Sequence, residues 1–241
     1  MTGSPASSPV AALAAATGWS LSRPGLGVVL GSAFVALLLS VLLWWVVGHA
    51  ITIAHEGGHA LAAILAGGLV SYLWVRRNRT GATGATALSR LTVIPFVLAG
   101  YLAPSLFGLA GAAVLVLGRP AAVLWASVAL LVLALTVAST WFTRVAVVAV
   151  GAVLGLALRA QSDDVTLWTA CSWTWLLLIG GMIHVVLHNG KGSDHHQLRK
   201  LTWLPVWFWS FLFTFVAFVS LVFGFAWLTG ISAPPLPGPA A

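Results

Sequence analysis

The chain is built from successive apolar runs, several of which reach the ~20 residues a helix needs to cross the roughly 30 Å hydrocarbon core of a bilayer. Backbone exposed to lipid must satisfy its own hydrogen bonds, so such runs are expected to be helices. They are too long and too continuously apolar for the alternating strands of a membrane barrel. Composition agrees: only 6% of the 241 residues are charged, against about 25% in soluble domains. The expected fold class is therefore all-α, a polytopic membrane helical bundle of about six transmembrane helices.

The first run extends from about Val28 to Gly68. As one straight helix it would be about 60 Å long, roughly twice the hydrocarbon thickness. It must either tilt and project or break, the break being expected near Gly48-His49. Gly67-Gly68 supplies a C-terminal stop. The polar stretch Leu69 to Arg90 follows, with Val70, Tyr72 and Trp74 alternating and Thr and Gly frequent from Thr80 to Thr86. This reads as a short β-hairpin. Further apolar runs lie at about 92–118, 120–138, 143–159, 166–187 and 204–229. Six spans result if the first run is one helix, seven if it is two. Residues 1–24 are expected to be a disordered N-terminal tail and 25–231 the membrane-embedded domain. Residues 232–241, with four prolines, are expected to be a C-terminal tail.

Net charge is +7, from eleven Lys and Arg against four Asp and Glu. The basic residues fall between apolar runs, the pattern that orients membrane proteins. In the six-span version Arg76, Arg77, Arg79, Arg90, Arg144, Lys191, Arg199 and Lys200 share one side. Arg23, Arg119 and Arg159 take the other, with Asp163 and Asp164. The side rich in basic residues is expected to be cytoplasmic. No cluster of basic and aromatic residues resembles a nucleic-acid platform, so nucleic acid is not an expected partner. Cys171 is the only cysteine, which excludes an intrachain disulfide and a Cys-based zinc site.

His55-Glu56-Gly57-Gly58-His59, late in the first run, is a HExxH string. Residues four apart on a helix share one face, so both imidazoles can reach one zinc ion. Glu56 can then act as general base on water. Ionisable groups inside apolar sequence are costly and usually functional. A hydrolytic zinc site needs a third protein ligand. With Glu56 assigned as base and Asp163 and Asp164 on the opposite side, Asp194 is the remaining carboxylate. It lies in Ser193-Asp194-His195-His196-Gln197-Leu198 on the same side as the histidine pair. His195 or His196 can serve instead.

Other features have plainer readings. Gly57 and Gly58 suit close helix packing. His184 and His188 have i, i+4 spacing without an intervening acid, and interfacial anchoring is expected rather than a second metal site. His49 reads as packing. Trp203, Trp207 and Trp209 fit an interfacial aromatic belt. Arg76, Arg77 and Arg79 read as orienting charges, with lipid headgroups as a second possibility.

HEGGHALAAILAGG, the hairpin after it and Gly100-Tyr101-Leu102-Ala103-Pro104 resemble site-2 protease-type intramembrane zinc metallopeptidases. The similarity is to a short bacterial branch in which SDxxQL and L-T-x-L-P replace the Asp-Gly motif; here these read Ser193 to Leu198 and Leu201 to Pro205. The resemblance covers roughly residues 35–215. It implies His55, His59 and Asp194 as zinc ligands, Glu56 as catalytic base, and a membrane protein or peptide as substrate within the lipid bilayer. The expected activity is zinc-dependent peptide-bond hydrolysis, with Asn189 as a candidate neighbour of the oxyanion. The hairpin is expected to capture an unwound substrate as an added strand. A metal-binding or metal-transporting protein without proteolysis is the alternative, and a catalytically silent scaffold a third reading.

Overall fold

A computed structural model describes residues 22–187 and 193–231, together with residues 9, 10 and 16. Most of the N-terminal tail, the C-terminal tail, His188 and Asn189 lie outside these described residues. Within them, helices α1 (Leu26–Leu42) and α2 (Trp44–Leu65) precede strands β1 (Leu69–Val75) and β2 (Gly81–Thr86). Helices α3 (Arg90–Val116), α4 (Pro120–Val137), α5 (Trp141–Arg159) and α6 (Asp163–Leu187) follow, then α7 (Asp194–Thr202) and α8 (Val206–Thr229). Five of these (α3, α4, α5, α6 and α8) are each long and apolar enough to cross a membrane. The protein is thus an integral, multi-pass helical bundle.

The first apolar run is two helices, bent by 106°. The break falls at Leu43 (φ −122°, ψ 27°), not at the expected Gly48-His49. Gly48 stays helical and makes room for a neighbouring side chain: a Cβ there would lie 2.6 Å from Cδ of Arg79. The bend is set by packing, since α1 lies mainly against α6 while α2 lies mainly against α3. The stop after α2 is a Schellman turn. Gly67 takes φ +76°, its N–H donates to Ile64 (3.0 Å), and the Gly68 N–H donates to Ala63 (2.8 Å).

β1 and β2 pair antiparallel, from Leu69 opposite Thr86 to Val75 opposite Gly81, with a bulge between Val70 and Tyr72. Ser139 N–H donates to Leu73 (2.9 Å) and Val75 N–H donates to Thr143 Oγ1 (2.8 Å). The outer edge of β1 is therefore tied to the α4–α5 turn, whereas among the described residues β2 has no strand on its other side. α3 starts with a Ser89–Thr92 capping box, and α4 starts with Pro120 at its first turn.

The two ends of the bundle carry different charges. Ser22, Arg23, Arg119 and Asp163 line one crevice, and Arg23 lies beside Gly230. The hairpin with Arg76, Arg77 and Arg79 sits at the α4–α5 turn, which belongs to the opposite end. Among the described residues, Arg23 and Arg119 thus lie at one end and the hairpin arginines at the other. The segment before the last span is itself a nine-residue helix, α7. It ends at Trp203 with φ +66°.

Candidate metal centre

α2 carries His55, Glu56 and His59 deep inside the protein, all three buried. A helix bearing such groups needs close neighbours to enclose them, and two glycines provide the approach. A Cβ on Gly58 would overlap Ala103 of α3, so α2 and α3 meet there almost backbone to backbone. A Cβ on Gly100 of α3 would overlap Nε2 of His59 and lie 2.8 Å from Nε2 of His55. Gly57, by contrast, faces open space; of the pair read as packing residues, only Gly58 packs.

α7 brings Asp194 to the histidine pair. Its Oδ2 lies 3.2 Å from His55 Nε2 and 3.1 Å from His59 Nε2, and the two Nε2 atoms are 3.2 Å apart. Three potential ligand atoms therefore form a nearly equilateral triangle. Bonds of about 2.0 Å at tetrahedral angles place ligands roughly 3.3 Å apart, so the triangle has the size of one face of a zinc tetrahedron. Two further observations fit a cation. The buried Oδ2 has no hydrogen bond aligned on it, and two imidazole nitrogens face each other. Burial alone would raise the Asp194 carboxyl, yet the flanking imidazoles hold it well below the usual carboxylate range.

The two histidines are positioned differently. His59 Nδ1 lies 2.7 Å from the Phe96 carbonyl. His55 is fixed by packing, with Tyr101 edge-on at 4.7 Å and the His184 ring at 5.0 Å. His184 is buried, so the interfacial role expected of it is corrected: α6 delivers it to the wall of this site. The signal was its i, i+4 spacing to His188 near a span end, which does not reveal the side of the helix that faces inward.

His195 and His196, the alternatives to Asp194, do not join the triangle. His195 is fully buried between Tyr101 (4.5 Å) and Phe213 (5.0 Å), and burial pushes its imidazole down to about 4. Both histidines face Ser193 Oγ, at 3.2 and 3.4 Å. Trp209, expected in an interfacial belt, is also buried, near Phe213 in the cluster that supports α7. Trp203 and Trp207 are exposed.

The hairpin closes the site over Glu56. Thr83 Oγ1 donates to Glu56 Oε2 across 2.7 Å, and a Cβ on Gly81 would overlap the Glu56 carboxyl. One turn earlier, Thr52 Oγ1 lies between the carbonyls of Gly48 (3.0 Å) and Arg79 (3.1 Å). His49 Nε2 lies 3.2 Å from the Arg77 carbonyl, so His49 is a hairpin contact as well as a packing residue. The result is a cleft of about 460 Å³ bounded by α2, β2, α6 and α7, with His55, Glu56, His59 and Asp194 in its wall. The arrangement can place a divalent cation beside a carboxylate that is not needed to bind it.

A family model described as Peptidase M50B-like matches residues 28–224. No curated protein and no solved structure matches the chain.

Proposed function

Because the chain belongs to the Peptidase M50B-like family, the site-2 protease family of membrane metallopeptidases, we propose that it hydrolyses peptide bonds of membrane-associated substrates. His55, His59 and Asp194 would hold zinc, and Glu56 would be the catalytic base. The observation that carries this reading is the triangle of potential ligand atoms, 3.1 to 3.2 Å on each side, with Glu56 adjacent to it on α2.

When bound, zinc supplies Lewis acidity that acidifies water and polarises a carbonyl. Glu56 accepts the proton from the attacking water and passes one to the leaving amine. Thr83 holds the Glu56 carboxylate through Oε2 and so sets the direction from which the proton is taken. Transmembrane substrates cannot present carbonyls while helical, so the reacting segment must be extended. β2 offers it an edge: β1 is tied down by Ser139 and Thr143, while β2 runs past Glu56 at Gly81 and Thr83. The excess of basic residues at the hairpin end makes that end cytoplasmic in this reading.

Metal content of purified wild type, His55→Ala, His59→Ala, Asp194→Ala and Glu56→Gln tests the assignment, alongside cleavage of a single-span peptide in lipid nanodiscs. The expected result is loss of zinc in the first three variants, and retained zinc with abolished cleavage in Glu56→Gln. Zinc retained in Asp194→Ala would overturn the ligand set. Cleavage surviving in Glu56→Gln would overturn the mechanism, and a zinc-loaded wild type that cleaves nothing would favour metal handling without hydrolysis.

A further inference from the structure

Arg79, at the hairpin tip, is placed unlike its neighbours. Arg76 and Arg77 are exposed, and Arg76 lies over the Trp74 ring at 4.5 Å. Arg79 is half-buried and lines the same cleft as His55, Glu56 and Asp194. Its backbone takes φ +64°, a conformation uncommon for a residue with a side chain. The turn is held there from several sides. Arg79 N–H donates to Arg76 (2.9 Å), Arg76 N–H donates to Thr80 (2.8 Å), and Thr52 meets the Arg79 carbonyl. The side chain then lies across Gly48, where a Cβ would sit 2.6 Å from Cδ.

Among the described residues this guanidinium has no counter-ion. Its Nε is buried without a hydrogen-bond partner, and among the described residues Arg79 takes part in no ion pair. The cleft's two carboxylates are otherwise engaged, Glu56 with Thr83 and Asp194 with the histidine pair. A partly desolvated cation in an apolar protein is stabilised strongly by an anion brought to it, and Arg presents a fork suited to a carboxylate.

We propose that Arg79 determines specificity by receiving a carboxylate of the substrate. The proposal rests on the proteolytic reading and adds a substrate feature to it. Gly48, over which the side chain lies, precedes His55 by about 10 Å of helix. An extended peptide advances about 3.3 Å per residue, so the carboxylate belongs about three residues from the hydrolysed bond. It can come from an acidic side chain or from a free C-terminus.

The test uses the full chain in nanodiscs and single-span Leu/Ala peptides with a central Gly-Pro break. Each peptide carries Glu, Gln or Lys at one of the five positions on either side of the break, and a further pair ends three residues beyond it as free acid or amide. Binding is measured by anisotropy on zinc-loaded Glu56→Gln protein, and cleavage on the active enzyme by mass spectrometry. Expected are binding of one Glu series or of the free acid about tenfold tighter than its neutral counterpart, and loss of that preference in Arg79→Gln. In cleavage the loss should appear in KM rather than kcat. Arg79→Asn, which tolerates the left-handed turn better, should behave as Arg79→Gln with unchanged zinc content. Arg79→Glu should turn the preference toward Lys. The Glu and free-acid arms distinguish the two sources.

Equal binding of Glu and Gln peptides to Glu56→Gln protein would overturn the proposal, as would a preference that survives Arg79→Gln. So would Arg79-dependent enrichment of phosphatidylglycerol in the nanodiscs without a peptide effect, which would make the residue a lipid site. A preference in binding with no cleavage by wild type would sink the proteolytic reading alone.

Discussion

His59 Nδ1 and the Phe96 carbonyl oxygen lie 2.7 Å apart, a hydrogen bond that joins α2 to α3. The carbonyl can only accept, so Nδ1 carries a proton, and in the neutral ring the lone pair is then on Nε2, which faces Asp194. A metal-binding imidazole normally requires this tautomer and this kind of support. The α2–α3 contact therefore sets the chemistry of the site as well as its position.

Gly100 should be intolerant of even one methyl group. Gly100→Ala forces a Cβ into the histidine pair, and zinc content measured by atomic emission should fall well below stoichiometric. Gly57→Ala adds its methyl to open space and should retain zinc. Equal zinc in both variants would show that the imidazoles can move aside.

Thr83→Val should slow turnover without releasing metal. It removes the hydrogen bond to Glu56 Oε2 while keeping the shape, and hydrogen bonds to charged groups contribute about 1.5–3 kcal/mol. Peptide hydrolysis should fall by roughly ten- to hundred-fold in kcat, at unchanged zinc stoichiometry. Thr83→Ser should restore much of the rate. A wild-type kcat in Thr83→Val would mean that Glu56 needs no such support.

Asp194 and His195 should separate cleanly although they are adjacent. His195→Phe keeps an aromatic ring between Tyr101 and Phe213 and should retain zinc. Asp194→Ala should lose it. Metal loss from His195→Phe with retention in Asp194→Ala would reverse the assignment.

Chelation should lower thermal stability of the wild type far more than that of Asp194→Ala. A ligand at about 100 times its Kd stabilises by about 2.7 kcal/mol, worth roughly 5–10 °C in Tm for a chain of this size. Differential scanning fluorimetry with and without chelator reads the difference. Identical melting curves for chelated and zinc-supplemented wild type would argue against a structural contribution from the metal.

Much of this architecture is legible in the amino-acid order, because the membrane makes local pattern decisive. The limits of α4 and α6 follow their apolar runs within a few residues, and the hairpin follows the alternation around Tyr72. What escaped depends on packing between distant segments. Leu43 carries no glycine or proline to mark a 106° bend; two partners pulling α1 and α2 in different directions create it. His184 and Trp209 occur near span ends, where such residues commonly meet lipid headgroups, yet both are turned inward by α6 and α8. Arg79 looks like one of three equivalent charges until the positive φ at the hairpin tip directs it elsewhere. Asp194 could be reached by elimination because carboxylates are so few, whereas the helix that carries it has too few apolar residues to announce itself.

The three potential ligands are distributed very unevenly along the chain: two lie on α2, and the third arrives on α7, after four more helices. A polypeptide emerging from the ribosome therefore inserts its histidine pair long before the carboxylate that completes the triangle. On this assignment the cluster cannot be completed until α7 has been made, and a chain terminated ahead of α7 lacks the carboxylate that closes it.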